Sequence, residues 1–195
     1  MAAFVEEHRE WIARTRASFA EKHAPEPFRL PTRIELAAID KVFGVVYSPS
    51  DDGEGVRYRQ TGDIVRLSGD TGDVEACVDA LRRFLTATAR RHFEPELGRL
   101  SETTGNPFRR MQVRGQKTCW GSHSSTGTIS INYCLLFLQP KLVRYLMIHE
   151  LCHARHMNHS PRFWALVERF EPDYRSLDRQ MSDAWKHIPT WVGLY

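Results

Sequence analysis

Apolar residues in the middle of the chain recur with the period of a helix. From residue 74 onward they follow the spacing i, i+3, i+4, i+7, i+10 and i+11, at Val74, Cys77, Val78, Leu81, Phe84 and Leu85. Residues with this spacing share one face of an α-helix, so the pattern predicts an amphipathic helix. Proline lacks the amide hydrogen that a helix interior uses, and Pro95 is therefore predicted to end it.

Shorter segments on both sides of this helix have the patterns of β-strands. Before it lie VFGVVYS and the pair VRYRQ and IVRLS, which the residues TGD separate as a hairpin turn. After it, MQVRGQKTCWGS and TISINYC flank HSSTG. In the second of these, Ile129, Ile131 and Tyr133 alternate with polar residues, which is typical of a half-buried strand.

Helical signals dominate the last third of the chain. Pro140 suits the first turn of a helix, and the segment KLVRYLMIHELCHARHM that follows is apolar on more than one face, so this helix is expected to be largely buried. Ser160 and Pro161 form a start signal for PRFWALVERF, which Pro172 closes. A last helical pattern has its apolar positions at Leu177, Met181 and Trp185.

The order of these elements predicts the fold class and the domain organisation. Strands precede helices instead of alternating with them, which favours an α+β fold. A chain of 195 residues fits one compact domain with its own core. Within it we expect residues 1–70 to form an N-terminal helix and strand region, interrupted by prolines, that packs on a core formed by residues 71–195.

Composition narrows the classes of partner. The chain is 42% hydrophobic and 26% charged, as ordinary globular proteins are, and its net charge of +3 comes from scattered basic residues, so there is no strong nucleic-acid signal. No segment has the apolar length of a membrane span or a signal peptide. We therefore expect a cytoplasmic protein, and four cysteines without a CxxC pair are expected to be buried thiols. The oligomeric state is left open.

The segment HELCHARHMNH carries the candidate chemistry. On a helix, His149 and His153 project about 40° apart and lie about 6 Å apart along the axis, so both imidazoles can bind one ion. Glu150 is rotated by roughly 100° from His149 and flanks the ion instead of binding it. Unpaired histidines and a glutamate are costly to bury in an apolar helix, which favours a metal site over a chance occurrence of the pattern.

Three residues compete to be the third ligand. His156 lies on the face of His149, but its Cα is about 10 Å away along the axis, so a role behind the ligands or on the surface suits it better. His159 is preferred because Asn158 tolerates the left-handed conformation of a sharp turn after a helix. Glu171, on the next predicted helix, ranks below His159.

The ligand set indicates the metal and its use. Three neutral imidazoles suit zinc, although nickel, cobalt and manganese stay open. Zinc with an open fourth position lowers the pKa of a water molecule from 15.7 to about 7. Glu150 could take a proton from that water and pass it to a leaving group.

Three segments of the chain resemble a known family. They are WGSHSSTGTISIN at residues 120–132, HELCHARHMNHSPRFWALVE at 149–168 and PDY at 172–174. They are similar to the YgjP-like HExxH metallopeptidases, which are related to the SprT-like proteins. The resemblance covers the C-terminal half of the chain well and the front half loosely.

This resemblance implies a fold, a site and a substrate. The fold would be zincin-like α+β, with a small antiparallel sheet packed against helices that include the HExxH helix. His149, His153 and His159 would hold the metal, generally zinc, and Glu150 would be the catalytic base. The substrate would be a peptide or a protein.

Two features depart from related patterns. The family commonly reads Arg-Trp-Gly-Ser-Cys, whereas Cys119 precedes Trp120 here and His123 follows Ser122. If these positions border the cleft, substrate choice differs in this chain. The spacing of the three histidines equals that of metzincins, but His156 stands where those enzymes have glycine and no methionine turn is evident.

Several functional details stay open at this stage. Tyr174, His123 and His187 are candidates to stabilise an oxyanion, and spacing favours none of them. If TISIN is a sheet edge beside the helix, an extended peptide could pair with it. Besides a zinc metallopeptidase, the residues allow a nucleotide or phosphoanhydride hydrolase, or a non-catalytic binding module that a metal stabilises and in which Glu150 is dispensable.

Overall fold

Within residues 28–50 and 55–193, which the computed structural model describes, the chain forms seven strands and four α-helices. The strands are β1 (Arg33–Leu36), β2 (Lys41–Pro49), β3 (Val56–Thr61), β4 (Ile64–Gly69), β5 (Arg110–Arg114), β6 (Gly121–His123) and β7 (Thr128–Asn132). The helices are α1 (Val74–Thr104), α2 (Pro140–Cys152), α3 (Pro161–Phe170) and α4 (Tyr174–Asp183). The predicted N-terminal helix falls on residues 1–27, outside the described residues.

The strands form two small sheets of mixed direction. The first has the order β1-β2-β4-β3, and the second has the order β5-β7-β6. The predicted hairpin is present as the antiparallel pair β3 and β4, but β4 also runs parallel to β2, and β5 runs parallel to β7. The α+β class is confirmed. The small sheet that was expected to be antiparallel is mixed, because β4 and β7 each pair with one parallel and one antiparallel strand.

The strand TISIN is not an edge. It forms β7, which lies at the centre of the second sheet and pairs with a strand on each side. Its burial on both faces agrees with this place, since four of its five residues are buried. The outer strands are β5 and the three-residue β6.

Helix α1 continues beyond the predicted end. It begins at Val74, where the side chain of Asp73 accepts a hydrogen bond from the amide of Ala76 at 3.0 Å, and it includes Pro95 in its interior. An interior proline costs roughly 3 kcal/mol. Burial of the apolar side chains that follow it, at about 1.5–3 kcal/mol each, offsets this cost. These side chains are Leu97 and Leu100.

The starts of the other helices agree with the sequence signals. Pro140 is the first residue of α2, and Pro161 is the first residue of α3 after the N-cap Ser160. Ser160 contributes its carbonyl, which accepts from the amide of Trp164 at 3.1 Å. The chain of α3 ends at Phe170, ahead of Pro172, as predicted.

Both sheets pack on α1 and share one hydrophobic core. On the first sheet, the rings of Phe43 and Tyr58 meet Phe84 of α1 edge to face, at 5.1 and 5.9 Å between centroids. On the second sheet, Ile129 and Ile131 are fully buried in the same cluster. The division of the chain into an N-terminal region, 1–70, and a core, 71–195, stays a prediction.

No helix among the described residues has both the length and the hydropathy of a membrane span.

Candidate active site

Helix α2 carries the HExxH motif and is buried on most of its surface, as predicted. Nine of its thirteen residues are buried, and they include Glu150. The helix ends at Cys152, and His153 is its C-cap with helical φ and ψ of −63° and −19°. His153 therefore keeps the one-turn spacing from His149 that the motif requires, although it stands at the boundary of the helix.

Three imidazoles converge at this end of α2. One ligand atom from each of His149, His153 and His159 lies within 4.8 Å of the others. The Nε2 atoms of His149 and His159 are 3.0 Å apart. Nitrogens at 2.0–2.1 Å from a tetrahedral zinc ion lie about 3.3 Å apart, so the spacing fits a shared ion.

A backbone contact fixes the orientation of His153. Its Nδ1 lies 2.9 Å from the carbonyl oxygen of His156, to which it donates. A histidine that donates from Nδ1 has a lone pair on Nε2, which is the form that binds a metal. His156 thus supports the cluster through its backbone, and its side chain is not part of it.

The aromatic ring of Phe163 packs against all three imidazole rings. Phe163 of α3 is fully buried, and its centroid lies 4.9, 4.5 and 4.8 Å from those of His149, His153 and His159. The next residue, Trp164, stacks on His159 at 5.5 Å. Helix α3 therefore fixes the turn that carries His159 against α2.

Burial favours the neutral state of two of these imidazoles, which is the state that binds a metal. Burial, together with the neighbouring His153 and His159, lowers the pKa of His149 to about 3. Burial also lowers the pKa of His153. Neither His149 nor His153 would therefore need to release a proton at neutral pH before it binds a cation.

Glu150 is buried beside the cluster and lacks a full set of partners. Its side chain is 4% exposed, and its Oε2 has no hydrogen-bond partner among the described residues. Burial raises the pKa of Glu150 to about 8. Such an orphaned carboxylate oxygen needs a partner from outside the chain, which a water molecule next to a metal ion would provide.

Strand β6 lies directly against Glu150. A Cβ at Gly121 would come within 2.8 Å of the Glu150 Oε1, so only glycine leaves room for the carboxylate there. At the end of the same strand, Nδ1 of His123 is 2.5 Å from the backbone oxygen of Glu150. Both residues belong to the segment in which the chain departs from the family pattern at Cys119 and His123. The contact of His123 connects the second sheet to the last turn of α2.

An open cavity of about 320 Å³ adjoins His149 and Glu150. Its wall includes residues that sequence analysis did not connect to the site, Tyr145, Asp178 and Trp185. The hydroxyl of Tyr145 donates to Asp178 Oδ1 at 2.7 Å. Tyr145 stands four residues before His149, so helical spacing alone would have placed it beside the motif.

Other sequence candidates lie away from the converging rings. Glu171 pairs with Arg144 at 3.2 Å. Tyr174 stacks on Trp164 at 5.2 Å, behind His159, and His187 lines a different cavity.

The backbone conformation of Asn158 differs from the sequence prediction. Asp40 is the only non-glycine residue with positive φ among those described, so the expected left-handed conformation of Asn158 is wrong.

All four cysteines are free, and three are buried as expected. Cys119 is half-buried and lines the cavity near Glu150. Cys152 is packed near Asn106 and is not in the cluster.

Comparison with known proteins identifies the family. A family model described as YgjP-like, metallopeptidase domain, matches residues 1–184. No curated protein matches the chain. Among solved structures, the metallopeptidase zymogen of Pyrococcus abyssi abylysin is 28% identical, with a TM-score of 0.41 over 46% of this chain and 92% of that one. The metallopeptidase zymogen of Methanocaldococcus jannaschii jannalysin is 16% identical, with a TM-score of 0.42 over 47% and 95%.

The extent of the family match decides the assignment. It includes both sheets, α1, the HExxH helix and the loop that carries His159. Because it spans more than half of the sequence, the chain belongs to the YgjP-like family and is a metallopeptidase.

Proposed function

We propose that His149, His153 and His159 hold one zinc ion and that Glu150 is the general base for hydrolysis of a peptide bond. The observation that carries this proposal is the convergence of three imidazole nitrogens within 4.8 Å. Zinc held by such ligands supplies a Lewis acid that polarises a peptide carbonyl and acidifies a water molecule.

Glu150 moves the proton in this proposal. The attacking water gives a proton to a carboxylate oxygen of Glu150 as its oxygen bonds to the carbonyl carbon. The same proton then passes to the amide nitrogen as the carbon–nitrogen bond breaks, which releases an amine and a carboxylic acid. The unpartnered Oε2 supports this role, and so does a pKa raised to about 8, because a base works best when its pKa is close to the operating pH.

The residues around Glu150 act by positioning it. His123 donates to the backbone oxygen of Glu150, and Gly121 leaves the space in which its carboxylate lies. Neither the His123 side chain nor the Cα of Gly121 needs to touch the substrate for this role. We propose that these two contacts hold the carboxylate at a fixed distance from the attacking water.

An extended substrate could pair with strand β6. This strand has β7 on one side only and ends beside the active-site helix. Backbone pairing at such an edge is a common way to bind an extended peptide. Protection of the amides of Gly121 and His123 from hydrogen exchange on addition of a slowly cleaved peptide is the expected result, and unchanged exchange would count against this mode.

The competing activities call for separate assays. The wall of the cavity beside the site contains the exposed carboxylate of Asp178, and none of the described residues that line it is a lysine or arginine that could bind the phosphates of a nucleotide. This favours a peptide substrate over a phosphoanhydride.

We also propose a cytoplasmic location, since all four cysteines are free thiols.

A comparison of wild type with Glu150→Gln tests the proposal. Metal content, peptide cleavage and nucleotide hydrolysis are measured on the zinc-loaded full chain. We expect the variant to retain its metal and lose peptide cleavage, whereas Glu102→Gln, an exposed position on α1, matches wild type. Retained cleavage in Glu150→Gln would refute the role of Glu150, and loss of nucleotide hydrolysis alone would point to the other substrate class.

A further inference from the structure

The cavity beside His149 and Glu150 has the chemistry of a subsite for a basic side chain. We propose that it binds a lysine or arginine side chain of the substrate next to the cleaved bond, which rests on the proposed peptidase function. The volume of about 320 Å³ is at the lower end of the range for ligand sites, which fits one side chain better than a larger ligand.

The first support is the charge of the cavity wall. It contains the exposed carboxylate of Asp178 beside the buried carboxyl group of Glu150, and no lysine or arginine among the described residues that line it. Asp178 is exposed, and its Oδ1 is oriented by the hydroxyl of Tyr145 at 2.7 Å. Its position on α4 therefore presents a fixed negative charge to a side chain that enters.

The second support is a pair of stacked indoles in the same wall. Trp120 and Trp185 lie with centroids 3.8 Å apart and an interplanar angle of 17°. Trp120 is buried, and its Nε1 donates to the backbone oxygen of Met181, whereas Trp185 is only half-buried. Tryptophan is the aromatic residue that attracts cations best, and the alkyl part of a lysine or arginine also packs on such a surface.

Matched peptides test this inference. The zinc-loaded full chain is assayed with peptides that differ at one position beside the cleaved bond, where they carry lysine, arginine, norleucine or glutamate, and mass spectrometry locates the cut. We expect kcat/KM for the lysine and arginine peptides to exceed that of the norleucine peptide by about tenfold, and the glutamate peptide to be the poorest. Equal values for lysine and norleucine at every flanking position would overturn the inference.

Asp178→Asn assigns the preference to this cavity. Asparagine keeps an oxygen that can accept from Tyr145, so the contact between the helices is preserved while the charge is removed. The lysine-to-norleucine ratio is expected to fall several-fold in this variant. Asp183→Asn is the matched control, since Asp183 pairs with Lys186 at 3.8 Å and lines another cavity, and its ratio should equal that of wild type.

Charge reversal gives an independent readout. In Asp178→Lys, the glutamate peptide should be cleaved faster than the lysine peptide. An unchanged ratio in both Asp178 variants would overturn the subsite. If wild type cleaves none of the peptides, including the norleucine peptide, the proposed peptidase function itself fails, whereas cleavage without charge preference refutes only this inference.

Discussion

Replacing Glu150 with glutamine is expected to stabilise the metal-free protein, by an amount that grows with pH. The carboxyl group is 4% exposed, and burial raises its pKa from the ordinary value of 4.5 to about 8. The folded chain therefore keeps a proton on Glu150 that the unfolded chain releases. The contribution of the Glu150 carboxyl group to the free energy of unfolding is fully present below pH 4.5 and is lost as the pH rises through 8. Glutamine cannot ionise and escapes this loss.

The two pKa values give the magnitude. Linkage predicts that ionisation of Glu150 costs about 1 kcal/mol of unfolding free energy at pH 5 and about 4 kcal/mol at pH 8. The difference between Glu150→Gln and wild type should therefore rise by about 3 kcal/mol over this interval. The depressed pKa of His149 also makes stability depend on pH, but it acts in both variants and cancels in the difference.

Urea unfolding of chelator-treated protein at several pH values between 5 and 8 measures this difference. Glu102→Gln is the control, because its exposed side chain predicts a flat difference across the same range. A difference for Glu150→Gln that is constant, or that falls as pH rises, would contradict the reasoning. It would mean that the carboxylate is solvated in the folded chain.

Three further substitutions probe the surroundings of the site. Gly121→Ala places a Cβ within 2.8 Å of the Glu150 Oε1, so cleavage should fall sharply while metal content is retained, and wild-type activity would refute the steric argument. Phe163→Ala removes the aromatic ring that packs against the imidazoles and should lower the free energy of unfolding by about 3–5 kcal/mol, measured in urea, with weaker metal binding. A loss below about 1 kcal/mol would contradict the packing. His123→Ala breaks the contact with the Glu150 carbonyl and should lower kcat about tenfold with little change in KM. Equal kcat values would show that this contact does not position the base.

Local signals in the sequence predicted the elements well. The helical period from Val74, proline at position 140 and the pair Ser160 and Pro161 each act over a few residues, and the structure has helices that begin at those points. The predicted end at Pro95 was wrong because packing of distant residues against α1 outweighs the local cost of proline. Local rules contain no information on that packing.

Contacts between distant segments were harder to predict. The parallel pairing of β2 with β4 depends on which strands meet, and no short pattern encodes it. The motif at His149 and its helical spacing led directly to the converging imidazoles, whereas Asp178 and Trp185 reach the same cavity from a later part of the chain. Their place beside the site follows from the packing of α4 and the segment after it, which becomes visible only in three dimensions.

The metal content of the purified full chain tests the central claim most directly. Elemental analysis after incubation with zinc and removal of excess ion should find one zinc per chain in wild type and a clear loss in His159→Ala. His156→Ala should match wild type, because His156 acts through its backbone oxygen, which alanine keeps. A wild-type protein that takes up no stoichiometric zinc, or a His159→Ala variant that holds it as tightly as wild type, would contradict the three-histidine site.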